Sequence, residues 1–161
     1  MRRTDREITD AAQIAAFLAQ EQIIRIAFYD HGEIYLVPVN YGVSCENGTY
    51  RFYFHGAKAG RKYTLSLQNP SVGFEIDGNY ALVTAEEACG HSAYFQSVIG
   101  TGRVCVLTDA AEKEAGLRCL MQHTTGKPDW TFREAVMEKT AVFRLDAETL
   151  TCKAKQVKHV E

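Results

Sequence analysis

The segment YFHGAKAGRK, residues 53–62, gathers His55, Gly56, Lys58, Gly60, Arg61 and Lys62 into one short stretch. It lies between TYRFYFH, which alternates in period two, and KYTLSLQN, which has helical spacing, so its cations crowd a helix start. The first turn of a helix exposes unpaired N–H groups and the positive end of the dipole, and cations placed there repel the backbone and one another. A bound anion reverses that sign. Backbone N–H groups near Gly56 and Gly60 can approach an oxyanion, the helix start adds its dipole, and Lys58, Arg61 and Lys62 become partners; a phosphate group fits this chemistry. The same residues would also make a solvated helix whose long side chains bend into water, and composition alone does not separate the two. His55 ends the strand beside this loop, where an imidazole either contacts the ligand or only hydrogen-bonds the loop.

A second candidate is Cys89-Gly90-His91. Zinc sites need a further ligand pair, and His31, His123 and His159 are not at ligand spacing from it, so no metal is expected and the segment reads as a loop. Five cysteines, scattered and without a C-x-x-C pair, fit reduced thiols rather than a disulfide framework. With 161 residues, 46% hydrophobic and 24% charged, the chain suits one domain with a real core, taken here as 1–161. The formal net charge of -2 argues against general nucleic-acid binding. No apolar run is long enough for a membrane span, and no apolar stretch of signal type follows the initial MRRTDREITD, so the expected compartment is the cytoplasm.

The elements that must position the site follow from periodicity. TDAAQIAAFLAQ (9–20) reads as an amphipathic helix capped by Thr9 or Asp10, and AAEKEAGLRCLMQHTT (110–125) as a second, capped by Thr108 or Asp109. IIRIAFY (23–29) and EIYLVPVNYGV (33–43) make a hairpin around Asp30-His31-Gly32. TYRFYFH (49–55), SVGFEID (71–77), SAYFQSVIGTGRVCVL (92–107), KTAVFRLD (139–146) and TLTCKAK supply further strands, with Gly100 and Gly102 marking a bend or bulge. Trp130, in the turn GKPDWTF, is expected to dock against a helix edge. Six or seven strands without βαβ alternation point to a mainly β protein, an antiparallel barrel with peripheral helices. Pro38 inside an apolar strand belongs on an edge, and its apolar neighbours Val37, Val39 and Tyr41 favour an edge lined by a ligand over one open to water.

Taken in order and spacing, VPVNYG (37–42), TYRFYFHGAKAGRK (49–62), NPSVGFEID (69–77) and QSVIGTGRV (96–104) resemble the flavin-binding split barrels related to pyridoxamine 5′-phosphate oxidase, and most closely the nitroimidazole-resistance group among them. The resemblance implies a six-stranded Greek-key split barrel and a homodimer with FMN in a groove at its interface. It implies that Val37, Pro38, Val39 and Asn40 present backbone to the flavin ring, that the segment from His55 to Lys62 holds the ribityl phosphate, and that Ser97, Val98 and Ile99 approach the FMN of the second subunit. It places His55 near the flavin and the bound small molecule, as the candidate catalytic residue.

Two functions follow from this. One is an FMN-dependent oxidoreductase that reduces a small electron-poor molecule such as a nitroimidazole or nitroaromatic. The other is a flavin- or haem-binding protein without turnover, since the split barrels it resembles serve several cofactors and no site residue in the sequence excludes this. Pyridoxamine 5′-phosphate oxidase activity ranks last, because the tail CKAKQVKHVE has no arginine, and no G-x-G-x-x-G marks a nicotinamide site.

Overall fold

The computed structural model describes residues 4–155; His159 lies outside them. In chain order the elements are β1 (Glu7–Ile8), α1 (Ala11–Gln20), β2 (Ile23–Asp30), β3 (Glu33–Asn40), β4 (Gly42–Glu46), β5 (Thr49–Ala57), α2 (Arg61–Gln68), β6 (Ser71–Val83), β7 (Ser92–Leu107), α3 (Ala110–Thr125), α4 (Glu134–Lys139) and β8 (Thr140–Lys155). Asp10 caps α1 by accepting from the Gln13 N–H at 2.8 Å, and Asp109 caps α3 by accepting from Glu112 N–H at 2.9 Å. These carboxylates, rather than Thr9 and Thr108, satisfy the first-turn donors.

One antiparallel sheet runs in the order β3-β2-β6-β7-β8-β5-β4, with β1 beside the end of β8. Period-two alternation sends Ile24, Ile26 and Phe28 of β2 to the inner face, with Phe52 and Phe54 of β5, Phe74 and Ile76 of β6, Val98 and Val104 of β7, and Phe143 and Leu145 of β8. Ile14, Phe17 and Leu18 of α1 complete this core. On the outer face α3 covers β5, β7 and β8 through a smaller cluster of Leu107, Leu117 and Val142.

The strand count is eight rather than six or seven, and the differences have local causes. The run 33–43 is two strands, because at Tyr41 the chain turns inward. The Tyr41 side chain is fully buried, its hydroxyl donates to Leu18 O at 2.6 Å, and its ring lies 5.7 Å from that of Phe52 and 4.6 Å from the His123 imidazole. This turn hands the chain from β2 to β5, with which β4 pairs. Towards the end of the described residues, two expected strands are one continuous β8, because β7 is long enough to pair with it from Val142 to Lys155. The irregularity expected near Gly100 and Gly102 sits between Thr101, opposite Thr149, and Gly102, opposite Ala147. A side chain on Gly102 would meet Asp146 O at 2.3 Å, so this close crossing requires glycine. Neither β1 nor α4 was legible, being too short to show a period.

The barrel is not closed. Among the described residues β3 pairs only with β2, and residues 54–57 of β5 pair only with β8. Two strand edges are therefore left without a strand partner, and α2 starts between them.

Candidate functional site

Val37, Pro38, Val39 and Asn40 lie along the free edge of β3. Val37 and Val39 pack on the core while Pro38 is exposed, a position where its missing N–H costs no ladder bond across two neighbours. Asn40 ends the strand, its Nδ2 donating to Gln22 O at 3.2 Å. On the other side, His55 and Gly56 occupy the free part of β5.

Adjacent residues at the start of α2 reach opposite sides of this seam. The Arg61 guanidinium goes to the β2–β3 hairpin: Nε lies 2.6 Å from Asp30 Oδ2, one terminal nitrogen lies 2.9 Å from Glu33 Oε2, and the Tyr35 ring centroid is 4.9 Å away. Lys62 goes to β5. Its Nζ donates to His55 O at 3.2 Å and stands 5.5 Å and 5.2 Å from the ring centroids of Phe54 and Phe143. Desolvation lowers the Lys62 pKa from its ordinary value, and the two ring faces offset part of that cost. Lys58 is exposed and turns toward α3 and α4 instead. The three cations thus fan out rather than meeting at one point.

The two glycines have different causes. Gly60 has φ +91° at the cap of α2, a conformation that side chains disfavour, and leaves open space around it. Gly56 makes room: a Cβ there would lie 3.0 Å from Lys62 Nζ. No side chain caps α2, so its first-turn N–H groups stand beside Gly60 without a capping acceptor.

The backbone and the side chain of His55 face different surroundings. Its carbonyl meets Lys62, while its imidazole lines a cavity of about 330 Å³ with Leu117, Met121, Phe132, Met137 and Thr140. Partial burial and, second, the Lys62 charge hold the imidazole below its ordinary pKa, so it is neutral near neutral pH. Phe132 and Met137 also border a larger cavity of about 820 Å³, which Lys58 and Lys113 line. Lys113 is almost fully buried and donates to Met137 O at 2.6 Å, tying α3 to the end of α4; burial lowers its pKa.

Ser97, Val98 and Ile99 do not form one lining. Val98 is fully buried in the core, so its side chain faces the interior and only its backbone is left to face a ligand. Alternation sends Ser97 and Ile99 to the outer face, Ile99 being 52% exposed, with β2 and β6 between them and β3. Within one chain they do not belong to the seam. The loop containing Cys89 and His91 folds onto Glu87, whose Oε2 lies 3.5 Å from Cys89 Sγ and whose carbonyl lies 3.1 Å from His91 Nδ1. Among the described residues no cluster of His, Cys, Asp or Glu could hold a metal, and the five cysteines are free. Trp130 Nε1 donates to Thr125 Oγ1 at 3.2 Å, at the end of α3. Sequence reasoning missed Asp30, Glu33 and Tyr35. Only the positions of Asp30 and Glu33, flanking a hairpin turn, hinted at a reach toward a neighbouring cation.

An antiparallel barrel split along two strand edges, with a basic, uncapped helix start in the seam, defines a split-barrel protein. The chain belongs to the pyridoxamine 5′-phosphate oxidase family, whose model matches residues 10–154. No curated protein matches the sequence. Among solved structures, a candidate 5-nitroimidazole antibiotic resistance protein from Bacteroides thetaiotaomicron is 24% identical, covering 93% of this chain and 90% of its own, with a TM-score of 0.77. The flavocytochrome Anf3 from Azotobacter vinelandii is 22% identical over 100% of this chain and 74% of its own, with a TM-score of 0.80. A FAD-binding protein from Mesorhizobium loti is 20% identical over 94% and 98%, with a TM-score of 0.65. At these identities the likeness is one of fold.

Proposed function

We propose that the protein binds FMN at the seam and uses it to reduce a small electron-poor molecule, with nitroimidazoles and nitroaromatics as the substrate class to try first. The observation that carries this reading is the uncapped start of α2, with Lys62 and Gly60, set between two strand edges that no other strand covers. Its first-turn N–H groups and Lys62 suit a phosphate, and the edge from Val37 to Asn40 suits the rim of a flat polar ring. Bound flavin would supply the electron transfer. The chain's own residues bind and orient it, exclude water, and keep a neutral imidazole at His55 facing the adjoining cavity. Flavin in the names of two structures of the same fold supports the reading.

A second copy of the chain completes the proposal. Ile34, Leu36, Tyr29 and Ile99 are exposed on the outer sheet face, more apolar surface than a small monomer normally leaves in water, and a homodimer would bring Ser97 and Ile99 toward the other chain's seam. Light scattering on the cofactor-free protein tests it: a dimer is expected, and a folded monomer that still binds FMN would end the shared-site arrangement.

One rival is a flavin or haem carrier without turnover, a reading that the flavocytochrome of the same fold supports. An absorption spectrum of freshly purified protein separates flavin, haem and neither. Stopped-flow oxidation of the dithionite-reduced flavoprotein by a nitroimidazole, with oxygen excluded, then tests turnover without knowing the electron donor. A failure there leaves the carrier.

A further inference from the structure

We infer that Asp30 and Glu33, the carboxylates flanking the β2–β3 turn, restrain Arg61 and thereby weaken the hold of the α2 start on phosphate, so that a ligand must earn its place through the rest of the seam. The inference deepens the flavin reading and rests on it for the choice of ligand. Among the described residues, Arg61 is the one cation of the three at this helix start with carboxylate partners; Lys62 is given to a carbonyl and two rings. The guanidinium spends Nε on Asp30 and a terminal nitrogen on Glu33, the fork of donors that would otherwise grip a phosphate. The Tyr35 ring beneath it further fixes its position. The Asp30 side chain is only 20% exposed against 75% for Glu33, so the Asp30 bond is the less screened and the stronger restraint.

Two consequences follow for an incoming phosphate. It meets an arginine whose charge is already answered, and it meets two carboxylates that repel it. With Lys58 turned away to the α3–α4 cleft, two cations against two carboxylates leave no net positive charge at the helix start, so free phosphate is held weakly. A ligand that also lays a ring along the β3 edge gains what phosphate alone cannot. The hairpin tip acts as a specificity filter.

The test uses Asp30→Asn together with Glu33→Gln, which keeps a carbonyl acceptor facing the guanidinium and removes the charge. Flavin fluorescence titration of parent and variant with FMN and with riboflavin reads the effect. We expect FMN to bind about tenfold tighter in the variant, riboflavin to change less than about twofold, and the FMN gain to shrink as salt is raised. Unchanged or weaker FMN binding overturns the inference. So does an equal change for both flavins, which would mean that the carboxylates act through hairpin geometry. Arg61→Ala is expected to cost more FMN affinity in the variant than in the parent, and equal costs would likewise overturn it. Inorganic phosphate, titrated while the amide signals of residues 60–63 are followed by NMR, gives the same comparison without flavin. If the parent binds neither flavin, the flavin reading falls, and the phosphate titration still decides: tighter phosphate binding in the variant upholds the restraint, and no tightening removes it.

Discussion

The inner face of the sheet and the seam between β3 and β5 are made from the same strands and obey different rules. Inside, Phe52, Phe54, Phe74, Phe143 and Leu145 interlock, with the rings of Phe54 and Phe143 stacked 4.8 Å apart and 6° from parallel. Most strands there have a neighbour on each side to answer their backbone groups, and stability comes from excluded water. At the seam, ladder partners run out and polar groups are answered by single side chains: Lys62 for the His55 carbonyl, and Asp30 and Glu33 for Arg61. Such contacts are individually weak and exchangeable in water. The difference teaches where function can sit. A ligand can displace or extend a seam contact at small cost, whereas nothing enters the core without opening it.

The comparison breaks most visibly in the core. Phe52 is fully buried, with ring centroids of Tyr41 and Phe74 at 5.7 Å and 5.2 Å, so Phe52→Ala should cost about 3–5 kcal/mol in urea unfolding. A loss under about 1 kcal/mol would mean that the interior is loosely packed. At the seam, Lys62→Ala should leave unfolding nearly unchanged and weaken FMN about tenfold while sparing riboflavin. A large loss of stability instead would make Lys62 a core residue rather than a ligand-facing one.

The smallest effect concerns His55. Its folded pKa lies below the ordinary value, first through desolvation and then through Lys62, so the unfolded chain takes up this proton first as pH falls. From about pH 6.5 down to the lower folded value the unfolded state binds more protons, and stability declines with falling pH; above about 6.5 the group is neutral in both states and adds no slope. The unfolding midpoint of His55→Ala should therefore fall less than the parent's between about pH 7 and pH 5. Equal slopes would show the imidazole as free in the cavity as in the unfolded chain.

Much of this was legible in the sequence because it depends on local periodicity. Alternating apolar residues place Ile24, Ile26 and Phe28 on one face wherever the strand lies, and Asp10 and Asp109 cap their own helices. Pro38 on an edge and the bulge at Gly102 follow from backbone chemistry carried by single residues. The cluster at residues 58–62 marked the helix start as unusual, but its sequence does not encode where each cation points. That was decided by which distant segment the barrel brings within reach of each side chain: the Asp30–Glu33 hairpin for Arg61, the β5 edge and Phe143 for Lys62, the α3–α4 cleft for Lys58. The inward turn of Val98 beside outward Ser97 and Ile99 was set by register across β6 and β8. Periodicity fixes which residues share a face of a strand, but only pairing in three dimensions fixes which face meets the core, because a one-residue slip exchanges the two.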